Sequence, residues 1–83
     1  MMKLSDWNNV LKYADYICRE AKEETGLDIR PEEYRMYDGR KGISIKVFDI
    51  RGKLYKEIFS GICDTLAEME RALRRCISEV KQL

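Results

Sequence analysis

Residues 43–60, ISIKVFDIRGKLYKEIFS, constrain the fold more than any other part of the chain. Ile43, Ile45 and Val47 alternate with other residues, which is the two-residue period of a strand with one buried face. Arg51 and the glycine after it interrupt the stretch and predict a tight turn between two antiparallel strands. A hairpin of this kind is stable in water only when other elements cover its apolar face.

Two segments with helical periodicity flank the hairpin and supply that cover. In residues 5–25 and 65–82, apolar side chains recur at three- and four-residue spacing while charged side chains take the other face. Ser5 is the predicted N-cap of the first helix. Thr65 and Glu68 form a capping box at the start of the second helix. Both helices therefore have an apolar stripe that must be buried.

A third strand is predicted at residues 33–37, because Pro31 favours an extended connector before it and the turn-forming run DGRKG follows it. The hairpin strands are predicted at residues 43–50 and 53–60. Their turns are too short for crossovers, so the three strands form an antiparallel meander. We predict one α+β domain over residues 1–83, in two layers ordered α-β-β-β-α, with both helices on one face of the sheet.

The residue types of the chain exclude several classes of function. The chain has no histidine, and its three cysteines form no CxxC pair, so we expect no metal site. Neither a phosphate-binding glycine loop, nor a nucleophile elbow, nor an acid–base pair is recognisable, so we expect neither an enzyme nor a cofactor. No apolar run reaches the roughly 20 residues of a membrane helix, and no signal peptide is evident. We expect a cytoplasmic protein without membrane contact.

The hairpin register predicts a partner-binding surface on the sheet face that the helices leave open. A two-residue loop places Phe48 opposite Tyr55, on the same face as Phe59. Tyr37 is expected beside them, with Tyr34 pointing inward. Exposed aromatic clusters are typical of protein interfaces. The predicted contact residues are the aromatic anchors Tyr37, Phe48, Tyr55 and Phe59, with Lys46 and Arg51 at the rim.

Three roles for this aromatic face remain open. Cross-strand aromatic pairs stabilise a half-exposed sheet without any partner. The same side chains are suited to binding another protein, in which case aromatic anchors dominate the affinity. The face also suits a homodimer in which two sheets stack back to back, so the sequence leaves monomer and homodimer open.

Nucleic-acid binding is the alternative function, because the element order resembles that of double-stranded-RNA-binding domains. The resemblance implies phosphate contacts from Arg40 and Lys41 in the turn before the hairpin, and the basic hairpin adds Lys53. That family also uses a histidine in this turn and lysines opening the second helix. Here the turn is DGRKG and the helix opens with the acidic run DTLAEME, so nucleic acid is the less favoured partner.

In size, single-domain build and layout, the chain resembles small phage-encoded inhibitors of bacterial defence systems, anti-CRISPR proteins among them. The resemblance covers the layout of the whole chain, and no motif carries it. It implies a non-enzymatic inhibitor that occludes a surface of a protein complex such as CRISPR–Cas. Mimicry of nucleic acid requires strong acidity, whereas the net charge here is +1. We therefore predict a protein-binding domain, with nucleic-acid binding as the alternative.

Overall fold

The computed structural model describes residues 2–83, in the element order α-β-β-β-α. The elements are α1 (Leu4–Thr25), β1 (Asp28–Arg35), β2 (Lys41–Phe48), β3 (Leu54–Phe59) and α2 (Leu66–Lys81). The three strands form one antiparallel sheet in the order β1-β2-β3. The predicted α+β class and the meander are confirmed.

The start of α1 differs from the prediction. The helix begins at Leu4, and its N-cap is Lys3, without a side-chain hydrogen bond, so the prediction of Ser5 as the N-cap is wrong. The end of α1 is better defined. Gly26 adopts a left-handed conformation, with φ 75°, and its N–H donates to the carbonyl oxygen of Lys22 at 2.8 Å.

The start of α2 follows the predicted capping box in part. The hydroxyl of Thr65 accepts the backbone N–H of Glu68 at 3.2 Å. The carboxylate of Glu68 accepts the backbone N–H of Asp64, one residue before the N-cap, at 3.2 Å. Two otherwise unpaired donors near the helix start are thereby satisfied.

Strand β1 departs most from the prediction, since it spans Asp28–Arg35 rather than residues 33–37. Pro31 lies inside the strand, opposite Ile45 of β2. Proline lacks an N–H, and an edge strand tolerates that loss because one of its sides has no neighbour to bond. The extended backbone that proline favours therefore belongs to a strand here and not to a connector. Ile29, which is buried, adds an inward side chain from this strand.

The core lies between the two helices and one face of the sheet. Ile43, Ile45 and Val47 of β2 are fully buried, as are Met69 and Leu73 of α2. Helix α1 packs on β1, α2 packs on β2, and the helices pack on each other. Side chains of both helices and of all three strands form a single apolar cluster. Both helices therefore cover the same face, as predicted.

Neither helix of the described residues has an apolar stretch long enough to cross a lipid bilayer.

Candidate interaction surface

The face of the sheet that points away from the helices is built from alternate residues of the three strands. Residues paired across the ladders share this face, because directly opposed side chains lie on the same side of a sheet. The side chains of this open face are Asp28, Arg30, Glu32, Tyr34, Ser44, Lys46, Phe48, Leu54, Glu57 and Phe59.

A charged row crosses the middle of the open face. The Nζ atom of Lys46 lies 2.8 Å from a carboxylate oxygen of Glu32 on β1 and 3.9 Å from one of Glu57 on β3. The hydrogen bond with Glu32 raises the pKa of Lys46 above its usual value. The predicted rim cation is thus neutralised within the sheet.

Phe48 does lie on the open face, as predicted, but it is half-buried under a cation. The guanidinium carbon of Arg30 is 4.6 Å from the centroid of the Phe48 ring. Asp28 holds this guanidinium in place through a 2.8 Å salt bridge. The hydrogen bond from Arg30 lowers the pKa of the Asp28 carboxyl. A large aromatic side chain is accommodated on the open face because an ion pair covers it.

Tyr34 lies on the open face, so the prediction that it points inward is wrong. Its ring meets the ring of Phe59 edge to face, with centroids 5.4 Å apart and an interplanar angle of 84°. Its partner across the ladder is Gly42, and a Cβ built there would overlap the ring of Tyr34. The Tyr34 ring therefore covers the backbone of a residue without a side chain. Tyr37 does not join this cluster, since it follows β1 in the turn and is fully exposed.

The register of β2 and β3 is as predicted up to Val47 and then shifts. Ser44 pairs with Phe59 and Lys46 with Glu57, in agreement with the prediction. Phe48, however, pairs with Leu54 and not with Tyr55, because a bulge interrupts the ladder after Val47. Tyr55 has no partner opposite it and is 63% exposed.

The turn between β2 and β3 is held by the side chain of Asp49. Its Oδ1 atom accepts the backbone N–H of Arg51 at 2.8 Å and that of Lys53 at 2.9 Å. Gly52 takes the positive φ, 81°, that closes the turn, and its N–H donates to the Asp49 carbonyl oxygen at 3.0 Å. The turn is therefore braced by bonds from both the backbone and a side chain.

The turn and the bulge leave apolar side chains in water at one end of the sheet. Ile50 is fully exposed, and Leu54 is 50% exposed. We call the group Ile50, Arg51, Lys53, Leu54 and Tyr55 the hairpin end. Ile50 and Leu54 were not among the predicted contact residues, since a two-residue loop at Arg51 assigns Ile50 to a strand and Leu54 to the inner face.

The basic residues predicted as nucleic-acid contacts divide into two groups. Arg40 bonds Asp38 at 2.6 Å, and Lys41 lies 3.5 Å from a carboxylate oxygen of Glu33. These two residues lie at the start of β2, roughly 25 Å along the strand from the hairpin end. Within residues 2–83, no salt bridge includes Arg51 or Lys53 of the hairpin end.

The described residues contain no group of three or more His, Cys, Asp or Glu side chains placed to hold a metal ion. Two of the three thiols, Cys18 and Cys76, are buried in the core. Burial raises the pKa of Cys18 to about 12, so this thiol is protonated at neutral pH.

No family model, curated protein or solved structure matches this chain.

Proposed function

We propose that the protein is a non-enzymatic protein-binding domain that contacts its partner through the hairpin end. The observation that carries this proposal is the exposure of three neighbouring apolar side chains, Ile50, Leu54 and Tyr55, at one end of the sheet. Arg51 and Lys53 lie among them. Apolar and aromatic side chains bordered by cations, Arg in particular, are typical of interface centres and their rims.

The hairpin end is better suited to binding than the middle of the open face. Phe48 is covered by Arg30, and Lys46 is paired with two carboxylates, so a partner there would have to replace contacts that already exist. At the hairpin end, the apolar side chains face water and the braced turn presents them on a fixed backbone. A preorganised loop loses little conformational entropy on binding.

The chemistry of the hairpin end defines the surface that a partner would present. Ile50 and Tyr55 fit an apolar depression, and Arg51 and Lys53 fit acidic side chains around it. A more specific form of the proposal is that the protein inhibits a bacterial defence complex such as CRISPR–Cas by occluding one of its surfaces. That form is supported only by the size and element order of the chain, as is a phage or mobile-element origin.

Nucleic-acid binding at the hairpin end is the second candidate function. Arg51 and Lys53 carry no salt bridge within the described residues, and the exposed ring of Tyr55 offers a stacking surface. This function predicts binding to a single-stranded oligonucleotide that weakens steeply between about 50 and 200 mM salt. Fluorescence anisotropy across that range separates it from protein binding, and absence of binding at low salt excludes it.

The protein-binding proposal is tested with two variants that each remove exposed apolar side chains. In the first, Ile50→Ser, Leu54→Ser and Tyr55→Ser are combined, and in the second Tyr37→Ser removes a fully exposed ring outside the hairpin end. Partners captured from the source organism are quantified for each bait, and the Kd of the purified partner is then measured. We expect the triple variant to weaken binding more than about tenfold and Tyr37→Ser to leave it within about twofold. Equal affinity of the triple variant and the original chain, with an unchanged circular dichroism spectrum, would contradict the proposal.

A further inference from the structure

A cavity of about 550 Å³ lies at the end of the sheet opposite the hairpin end. It opens to solvent and is lined by the start of α1, the turn before β2 and the loop between β3 and α2. Its volume is within the roughly 300–1,000 Å³ of sites that bind small molecules. The apolar part of its lining consists of Met2, Leu4, Trp7, Ile62 and Cys63.

Trp7 supplies the most deeply buried part of this lining. The residue is 5% exposed, yet its Nε1 atom has no hydrogen-bond partner among the described residues. Buried donors in folded proteins are nearly always paired, so this indole N–H is an exception among the described residues. Leu4, which also lines the cavity, is 70% exposed.

The charged residues of the lining are mainly cationic. Arg40 and Lys41 line the cavity, and the Nζ atom of Lys41 lies 5.6 Å from the centroid of the Trp7 ring. Their ion-pair partners, Asp38 and Glu33, are not part of the lining. Asp64 is the one acidic residue among the described residues that line the cavity. Counting the lining side chains alone, the net charge is +1, and a bound anion would share both cations with the carboxylates that they already pair with. Arg40 contacts Asp38 through its Nε atom, and its terminal N–H groups are further donors for an anion.

We propose that the cavity binds a small monocarboxylic acid with an apolar body. The carboxylate pairs with Arg40 and Lys41, as charge-assisted hydrogen bonds to cations favour. The apolar body lies against Trp7 and Ile62, where it removes apolar surface from water. This site does not involve the hairpin end and is independent of the protein-binding function proposed above.

Trp7 is the single tryptophan of the chain, so its fluorescence reports directly on the cavity. Decanoate, decanol and decyltrimethylammonium are titrated separately, below the concentration at which each forms micelles. The three probes share an apolar chain and differ in the charge of the head group. We expect a saturable change in emission with decanoate, and binding of the neutral and cationic probes that is at least about tenfold weaker.

Two double variants of equal charge change locate the binding site. Arg40→Gln with Lys41→Gln is expected to weaken decanoate binding at least about tenfold and to leave decanol binding unchanged. Arg51→Gln with Lys53→Gln removes the same charge at the hairpin end and is expected to have no effect. Asp64→Asn, at an exposed position, is expected to strengthen decanoate binding. Circular dichroism verifies the fold of each variant.

The inference is overturned if decanoate gives no saturable change or binds no more tightly than decanol. If both double variants weakened decanoate binding equally, decanoate would be attracted by the net charge of the protein and not by a specific site. Unchanged or weaker binding by Asp64→Asn would likewise contradict a lining that selects an anion, even if the Arg40 and Lys41 variant fails to fold.

Discussion

Tyr34 and Gly42 form a pair in which one residue occupies space that the other leaves empty. The ring of Tyr34 crosses to β2 because Gly42 has no side chain, and it then reaches the edge of Phe59. Glycine weakens a strand by itself, since it packs nothing and loses more backbone freedom on folding. Here the Tyr34 ring from the neighbouring strand covers the exposed backbone of Gly42. A substitution at Gly42 therefore also affects Tyr34 and Phe59.

Gly42→Ala is expected to lower the free energy of unfolding by about 1 kcal/mol, because the new methyl group displaces the Tyr34 ring from Phe59. In a Tyr34→Ala background the same substitution is expected to be neutral or stabilising, since alanine is better than glycine in a strand. Urea denaturation of the four proteins of this double-mutant cycle measures the difference. Additive effects of the two substitutions would show that the ring and Gly42 are not coupled.

Asp28→Asn is expected to destabilise the protein at neutral pH but not in acid. Arg30 lowers the pKa of the Asp28 carboxyl in the folded state. The stabilisation by the ion pair of Asp28 and Arg30 is therefore present above the pKa of about 3.9 that Asp28 has in the unfolded state. It is lost as the pH falls through the lower pKa of the folded state. The difference in stability between the two proteins should shrink as the pH falls below about 4. A difference that is constant from pH 7 to pH 3 would assign the effect to something other than the charge.

Beyond the end of β3, the side chain of Ser60 replaces a backbone hydrogen-bond acceptor of the ladder. The hydroxyl of Ser60 accepts the backbone N–H of Ile43 at 3.0 Å, while the backbone N–H of Ser60 donates to the Ile43 carbonyl oxygen at 2.9 Å. The guanidinium of Arg75 on α2 donates to the carbonyl oxygen of Phe59 at 3.2 Å. A serine and an arginine thereby continue the bonding of the strand toward α2.

Ser60→Ala is expected to cost about 1–2 kcal/mol of unfolding free energy, because it leaves the N–H of buried Ile43 without an acceptor. Ser78→Ala, on the exposed face of α2, is the matched control and is expected to change stability by less than about 0.5 kcal/mol. Thermal and urea unfolding measure both. Equal stability of the two variants would mean that the Ser60 hydroxyl is replaced by water at no cost.

The elements differ in how far the sequence predicts them. Both helices and the hairpin follow from periodicity, because burial of one face demands a repeat that can be read directly. The sequence predicts a start of strand β1 that is too late, because Pro31 is as compatible with a connector as with an edge strand. Only the pairing of Pro31 with Ile45 distinguishes these two structures. The bulge at Tyr55 has no sequence signal, since neither a glycine nor a proline marks it. Of the predicted anchors, Phe48 and Phe59 lie on the open face, whereas Tyr37 lies in the turn after β1.

The molecule as a whole has two ends that differ in chemistry. The hairpin end exposes apolar side chains beside cations that form no salt bridge within residues 2–83, and the opposite end contains a cavity with cations on its wall. On the open face between them, Lys46 is paired with two carboxylates and Phe48 is covered by Arg30, while Phe59 is 52% exposed. We therefore propose the two ends of the sheet, and not the middle of its open face, as the binding surfaces.

We expect the isolated chain to be a monomer, because stacking two open faces would bury the paired charges of Lys46 without a new partner. Size-exclusion chromatography with light scattering should give a mass near 9.8 kDa at all concentrations tested. A mass that doubles with concentration would contradict this expectation. Loss of that doubling in Phe48→Ala would then assign the contact to the open face.

Pro31 has a consequence for association in crowded solutions. A sheet extends indefinitely only if both of its outer strands can accept a further strand, and proline on β1 removes a donor from one of them. β3 lacks proline, so any abnormal pairing should begin there. If the β3 strands of two copies paired, both edges that can accept a further strand would be used. The outer strands of the resulting dimer would then both be β1, which contains proline. Association should therefore stop at a dimer and not continue into a fibre.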